Sequence, residues 1–558
     1  MLTAAFLWPA IVHFRDRVLS EGGDGSTFLW AWWAMPRALL DGHDPFVTRR
    51  LFFPVGGNLA FHTTAPLEMA VSWPVARVLG LAAALNFLQV AAVFLSAVGA
   101  YLLAFHVCAD RRAAFFAGAA FAFVPYRFVH MGGHFNLIHA EFLPFGALVF
   151  LRFLDHQSRR RAALVGLLLG LTFLTDFYYL VFLLLALGVI ALSRRRDVGR
   201  GTVRRLAEAA VVTLVVALPL LVPMVAAMRS GELDALPGWG GADVFVADAV
   251  SWLLPPARHP LWGSWVASAR EGLPAAGEGI AYPGLVVLGL AVAGRELGVR
   301  SARKGWVALA VVAGLLAMGP FLQIGGRTGG GFSYLGRTFS IPLPYFAVHF
   351  VPLLNGVRVP GRFAIVAILA LDVLAAVTLA SLARRRPRWG WALCAGALAV
   401  TLVEFLPGTL SQHPAAVPEP YHRIAADGGS GALLEVPLQW QSGTDLVGDG
   451  RLGRDDTIFL YYATVHGRPL VSGYLSRYPA DRLARLTAVP LYRQVLALGD
   501  EPGFDDAPTF DAADLRRQGI GYVVYHRDRP WPAAFAYLSG LGLRELADDG
   551  TVVAWKVP

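Results

Sequence analysis

The stretch GGDGSTFLWAWW (22–33) sets one aspartate, Asp24, ahead of a tryptophan-rich run in a chain where charged residues are scarce. A carboxylate held near a membrane surface can take a proton from a hydroxyl as that hydroxyl attacks a lipid-linked electrophile. Its plainer use is as a helix cap, because an aspartate satisfies free backbone N–H groups at a helix start. Ser26 is an equally good cap, which leaves Asp24 open to other work. Two further carboxylates are candidates for the same chemistry: Asp44 in DGHDPF (41–46) and Asp176 in LTDFYYL (174–180). Asp44 precedes Pro45 and reads equally as a turn residue. Asp176 sits at a membrane edge, where an ionisable group is costly unless it is paired, solvated or used.

The cationic candidates are Arg358 and Arg362 in NGVRVPGRF (355–363), next to an apolar segment. A guanidinium grips phosphate through two parallel N–H bonds, so a donor lipid phosphate is the ligand this position suggests; ordinary anionic headgroups would also satisfy it. In GGHFNLIHAEF (132–142), His134, Asn136, His139 and Glu141 gather polar groups between two apolar segments. His134, Ile138 and Glu141 fall on one face if a helix begins early there. They line a wet cavity or serve as a metal or proton relay, and His62 in the first loop reads the same way. Near the C-terminus, Tyr461 and His466, with Asp455, Asp456, Tyr462, Arg468 and Arg477, suit the holding of a sugar or the packing of a strand edge. No phosphate-cradling loop, HExxH or GxSxG arrangement is present.

These residues must be positioned by membrane helices. Apolar residues make up 56% of the 558 and charged ones 16%, with mean hydropathy +0.53, well above the roughly 45–50% apolar share of soluble domains. The formal charge of +9 comes almost wholly from arginine in short clusters, with lysine only at Lys304 and Lys556. Such clusters mark cytoplasmic loops and exclude a nucleic-acid stripe. Cys108 and Cys394 lie in or beside apolar segments with no metal-type spacing, so neither a disulfide nor a zinc site is expected.

Using the clusters 111–112, 159–161, 194–205, 295–304 and 384–388 as cytoplasmic markers, the chain reads as about 11 spans. The first is an uncleaved segment over 1–14; the others lie near 84–107, 113–129, 138–154, 162–176, 177–192, 206–228, 280–294, 305–323, 362–383 and 389–407. Residues 66–80 are interfacial or re-entrant. The first external loop, 15–66, carries an amphipathic helix with Trp32 and Trp33 at headgroup level, kinked at Pro36 and ended by Gly42. Residues 1–407 then form the transmembrane domain and 408–558 an external α/β domain. Its strands are expected at 431–438, 457–465, 519–528 and 551–558, with a helix at 511–518.

An aspartate opening the first external loop, followed by DGHDPF and FFPVGGNLAFHT (52–63), resembles the bacterial membrane glycosyltransferases of the GT-C superfamily. AFVPYRFVHMGGHFNLIHAEFLPF (122–145), LLNGVRVPGRF (353–363) and VHGRPLVSGYLSRYP (465–479) look like recurrent segments of the same proteins. The resemblance implies a GT-C fold in the inner membrane and a polyprenyl-phosphate sugar as donor. It also implies transfer on the external face to a glycan, lipid or protein hydroxyl. Asp24 matches the catalytic or metal-associated carboxylate, so a divalent metal is the cofactor to be tested for. The other readings are a flippase for lipid-linked glycans, whose ionisable groups should lie near the midplane, and an inactive envelope-assembly scaffold.

Overall fold

The structure is a computed structural model. It describes residues 1–558 except 21–23, 235, 237, 275–276, 295–299, 329–331, 335–336, 352–353, 444 and 449–456; Asp24 is described in its backbone alone. Asp455 and Asp456 thus lie outside the described residues. The chain divides into two compact units, each discontinuous in sequence. One comprises Met1–Val12, Asn86–Leu218 and Leu236–Ser411; the other comprises His13–Leu85, Pro219–Ala235 and Gln412–Pro558.

The first unit is helical and is organised around Ala364–Arg385, which packs against the helices Arg111–Phe123, Leu285–Ala293, Arg300–Ala317 and Gly390–Glu404. Almost every residue of this helix is buried, down to Ala367, Ala370 and Ala375, because small side chains let neighbouring backbones approach closely. The same logic fixes Gly118, where an added Cβ would lie 2.7 Å from the Ala97 carbonyl oxygen. Side-chain caps start several helices: Asp110 accepts from the amides of Arg112 and Ala113, and Ser158 from that of Arg161, offsetting the free N–H groups of a first turn.

Among the described residues, four helices are long and apolar enough to cross a membrane: Leu81–Cys108, Arg111–His130, Arg200–Arg229 and Pro360–Arg385. The third exposes Val211, Leu214, Val215 and Val222, a surface suited to hydrocarbon rather than water. Phe177–Ser193 is apolar but shorter. The opening segment forms two five-residue helices, Leu2–Phe6 and Trp8–Val12, divided at Leu7. Residues 280–294 contribute only the nine-residue helix Leu285–Ala293. Both cysteines are free and buried.

The second unit holds a four-stranded sheet built from β1 (Ala432–Val436), β2 (Ile520–His526), β3 (Arg544–Asp548) and β4 (Val552–Lys556), in the order β3-β4-β2-β1. β1 and β2 are parallel; the other pairs are antiparallel. Alternating apolar residues bounded by turns predicted β1, β2 and β4, and the expected helix at 511–518 is Ala512–Arg517, closed by an Asp511–Asp514 capping box. The expected strand at 457–465 is instead the helix Ile458–His466, ended by Gly467 at φ 65°. A short run of mostly apolar and aromatic residues has no period that separates strand from helix. This helix packs on the first-loop helix Asp24–Leu40. Trp32 and Trp33 are therefore buried, with the Trp32 indole donating to the Thr64 carbonyl, and do not face headgroups. The helix also begins at Asp24, so Ser26 lies inside it and is no cap.

Candidate functional site

In the first unit, charged groups converge on Glu278, which lies in the loop ahead of Leu285–Ala293. Arg362, in the 3-10 turn Pro360–Phe363, donates from Nε (3.0 Å) and Nη2 to its two carboxylate oxygens. Gly361 permits this approach, since a Cβ there would lie 2.7 Å from the Glu278 carbonyl oxygen. His130 ends the short helix Pro125–His130 and places Nε2 3.1 Å from Glu278 Oε2, while its Nδ1 lies 2.7 Å from the Tyr126 carbonyl. His134 Nε2 lies 3.2 Å from Glu278 Oε1. Burial pushes the Glu278 carboxyl upward, but the charge of Arg362, reinforced by His134 and by hydrogen bonds from His130 and Arg362, holds it well below the usual carboxylate range.

Arg358 does not share this carboxylate: its Nε donates to the Gly240 carbonyl (2.9 Å), and its amide donates to the Tyr178 hydroxyl (3.0 Å). Tyr178 also stacks under the Arg362 guanidinium, 5.1 Å from its ring centroid. Asp176 caps Phe177–Ser193 by accepting from the Tyr179 amide, and takes the Asn136 amide at 2.5 Å. The expected common face of His134, Ile138 and Glu141 is absent. Residues Phe135–Ile138 form a single turn, and the next helix starts only at Phe142. His139 and Glu141 pair with each other instead, Nδ1 to Oε1 at 2.9 Å, both buried.

In the second unit, Asp24 is the first residue of its helix. One residue on lies a small recess with a cavity volume of only about 10 Å³, room for about one water, lined by Ser20, Gly25, Ser26, His413, Ile458 and Tyr461 among others. The Tyr461 hydroxyl donates to the Ala415 carbonyl at 2.9 Å. Asp44 accepts from the Phe46 amide at 2.8 Å, which is a turn contact. His62 is buried, and its Nδ1 accepts from the Ser476 amide at 3.1 Å. His466 is buried against Tyr421 and accepts from the Arg468 amide at 3.1 Å.

These two histidines make the second unit acid-sensitive. Burial holds His62 at about 4, and burial together with the Arg468 charge holds His466 at about 3, against an ordinary value near 6.5. An unfolded chain takes up these protons from about pH 6.5 downward while the folded one does not, so their contribution is intact above that pH and is lost as pH falls toward 4. A melting curve at pH 4.5 should lie below that at pH 7.5 by on the order of a few kcal/mol of stability, and His62→Gln should make the fall shallower. An equal melting temperature at both pH values would contradict this.

Among the described residues, no group of three or more His, Cys, Asp or Glu side chains is arranged to hold a metal. Neither Glu278 nor His130 stands out in the sequence. The one local signal is an acidic residue between two glycines, GEG (277–279), facing a span on the same expected side as the arginines.

The family described as a domain of unknown function, DUF6311, matches residues 1–405. No curated protein matches. Among solved structures, the arabinofuranosyltransferase AftD from Mycobacteria superposes with TM-score 0.60 at 14% identity, over 100% of this chain and 40% of that one. ArnT from Cupriavidus metallidurans, solved bound to undecaprenyl phosphate, superposes with TM-score 0.52 at 15% identity, over 100% of this chain and 97% of that one. The chain thus spans under half the length of AftD and nearly all of ArnT. At these identities the likeness is one of fold, a GT-C-like helical membrane fold.

Proposed function

This chain belongs to the DUF6311 family, and we propose that it is an inner-membrane glycosyltransferase that moves a sugar from a polyprenyl-phosphate donor to an acceptor hydroxyl on the external face. The observation that carries this reading is a GT-C fold whose first-loop helix begins at an aspartate, Asp24, beside a recess shared with Tyr461. In the proposed step the Asp24 carboxylate takes the acceptor proton. The freed oxygen bonds to the anomeric carbon, the bond from that carbon to the phosphate oxygen breaks, and polyprenyl phosphate leaves with inverted configuration at the sugar. Arg362, aided by Arg358, holds the donor phosphate.

The acceptor is a glycan, lipid or protein hydroxyl, with Tyr461 at the recess beside the first-loop helix; His466 lies buried behind it against Tyr421. The C-terminal region lies outside the membrane in this reading, and the transmembrane part crosses about 11 times. The deciding assay uses the full chain in vesicles with a radiolabelled polyprenyl-phosphate sugar and an envelope extract as acceptor. Label should pass to the extract while free polyprenyl phosphate accumulates. Donor that crosses the bilayer with its sugar still attached would instead make this a flippase.

A further inference from the structure

Arg362 is usually the kind of residue that makes an anion site strongly cationic, but here its charge is already answered. Its Nε and Nη2 both bond Glu278, and two imidazoles, His130 and His134, point Nε2 at the same carboxylate. Among the described residues Nη1 has no partner, so one edge of the guanidinium is left for a ligand. A phosphate on that edge would feel Arg362 at hydrogen-bond distance and Glu278 just behind it.

Resting on the donor-phosphate role of Arg362 given above, we propose that Glu278 sets the charge this site accepts, selecting a phosphodiester monoanion over a phosphate monoester dianion. Attraction grows in proportion to ligand charge, whereas the cost of stripping water grows with its square. A guanidinium alone rewards the second negative charge; a guanidinium whose charge is cancelled does not. The sugar donor is a diester carrying one charge, and cleavage at the anomeric carbon leaves a monoester carrying about −1.5 to −2 at pH 7. Glu278 therefore lets the substrate in and weakens the hold on the product. Its strongly depressed carboxyl, raised by burial but lowered further by Arg362 and the histidines, keeps it ionised to perform this selection.

The test measures binding of a short-chain isoprenyl phosphate and of its methyl diester to the full chain in detergent. Wild type should bind the diester at least as tightly as the monoester. In Glu278→Gln the preference should move toward the monoester by about tenfold, the effect of one charge several Å away in a partly screened site, while Glu278→Asp should keep the wild-type order. A wild type that prefers the monoester tenfold or more, or an unchanged ratio in Glu278→Gln, overturns the proposal. If Glu278→Gln fails to fold, the wild-type preference decides alone. Binding of neither compound to wild type removes the phosphate role of Arg362 and the selection with it, whereas binding without the charge preference removes only the selection.

Discussion

Asp24→Asn should abolish sugar transfer, by about 10²–10⁴ in rate, while donor binding and melting temperature stay close to wild type. The size of the effect separates two roles. Asp24 is the first residue of Asp24–Leu40, where a negative charge near a helix N-terminus stabilises by only about 0.3–1 kcal/mol. Asparagine serves as well as aspartate at a helix start, so a purely structural Asp24 would give a change of at most a few fold. A general base has no such substitute, because an amide cannot accept the proton. Transfer measured in single turnover, with donor saturating, isolates the chemical step from binding. Wild-type turnover in Asp24→Asn would sink the assignment and move the search to Asp44 or Asp176, although those carboxylates accept hydrogen bonds from the Phe46 and Tyr179 amides.

What could be read in advance follows from the range of the forces involved. Ala364–Arg385 was legible as a long apolar run ended by arginines, and β1, β2 and β4 as apolar strands bounded by glycine turns, because these patterns are local. The helix Ile458–His466 was not, since a nine-residue run dominated by apolar and aromatic side chains fits either period. The expected face through His134, Ile138 and Glu141 failed for a local reason that was visible: Gly132 and Gly133 permit the chain to leave the helix, and only one turn reforms before Phe142. The placement of Trp32 and Trp33 failed for a non-local one. An amphipathic tryptophan run suits headgroups or a protein partner equally, and here the partner is a helix more than 400 residues onward. The Arg362 to Glu278 fork joins residues 84 apart, and no spacing rule connects them. The arginine was legible as a cation of the type that suits phosphate, but its counter-charge was not.

That counter-charge makes the second large effect predictable. Arg362→Ala should lower the stability of the first unit by roughly 3 kcal/mol, because removing one partner of a buried pair leaves the other charge uncompensated. Glu278 is 14% exposed and Arg362 9% in their side chains, so solvent screens the orphaned carboxylate only in part. His130 and His134 still face it, which keeps the loss at the lower end of the range for such pairs. The double change Arg362→Met with Glu278→Gln should recover most of that stability, since neither charge is then stranded. It should not recover binding of an isoprenyl phosphate, because the guanidinium is gone. Arg362→Lys divides the two roles differently: it keeps the charge but loses the fork, so it should retain part of the stability and little of the phosphate affinity. Thermal melts and phosphate binding on the same four proteins resolve the question. If the double variant regains binding along with stability, Arg362 serves only to hold the loop of Glu278, and the phosphate must be gripped elsewhere.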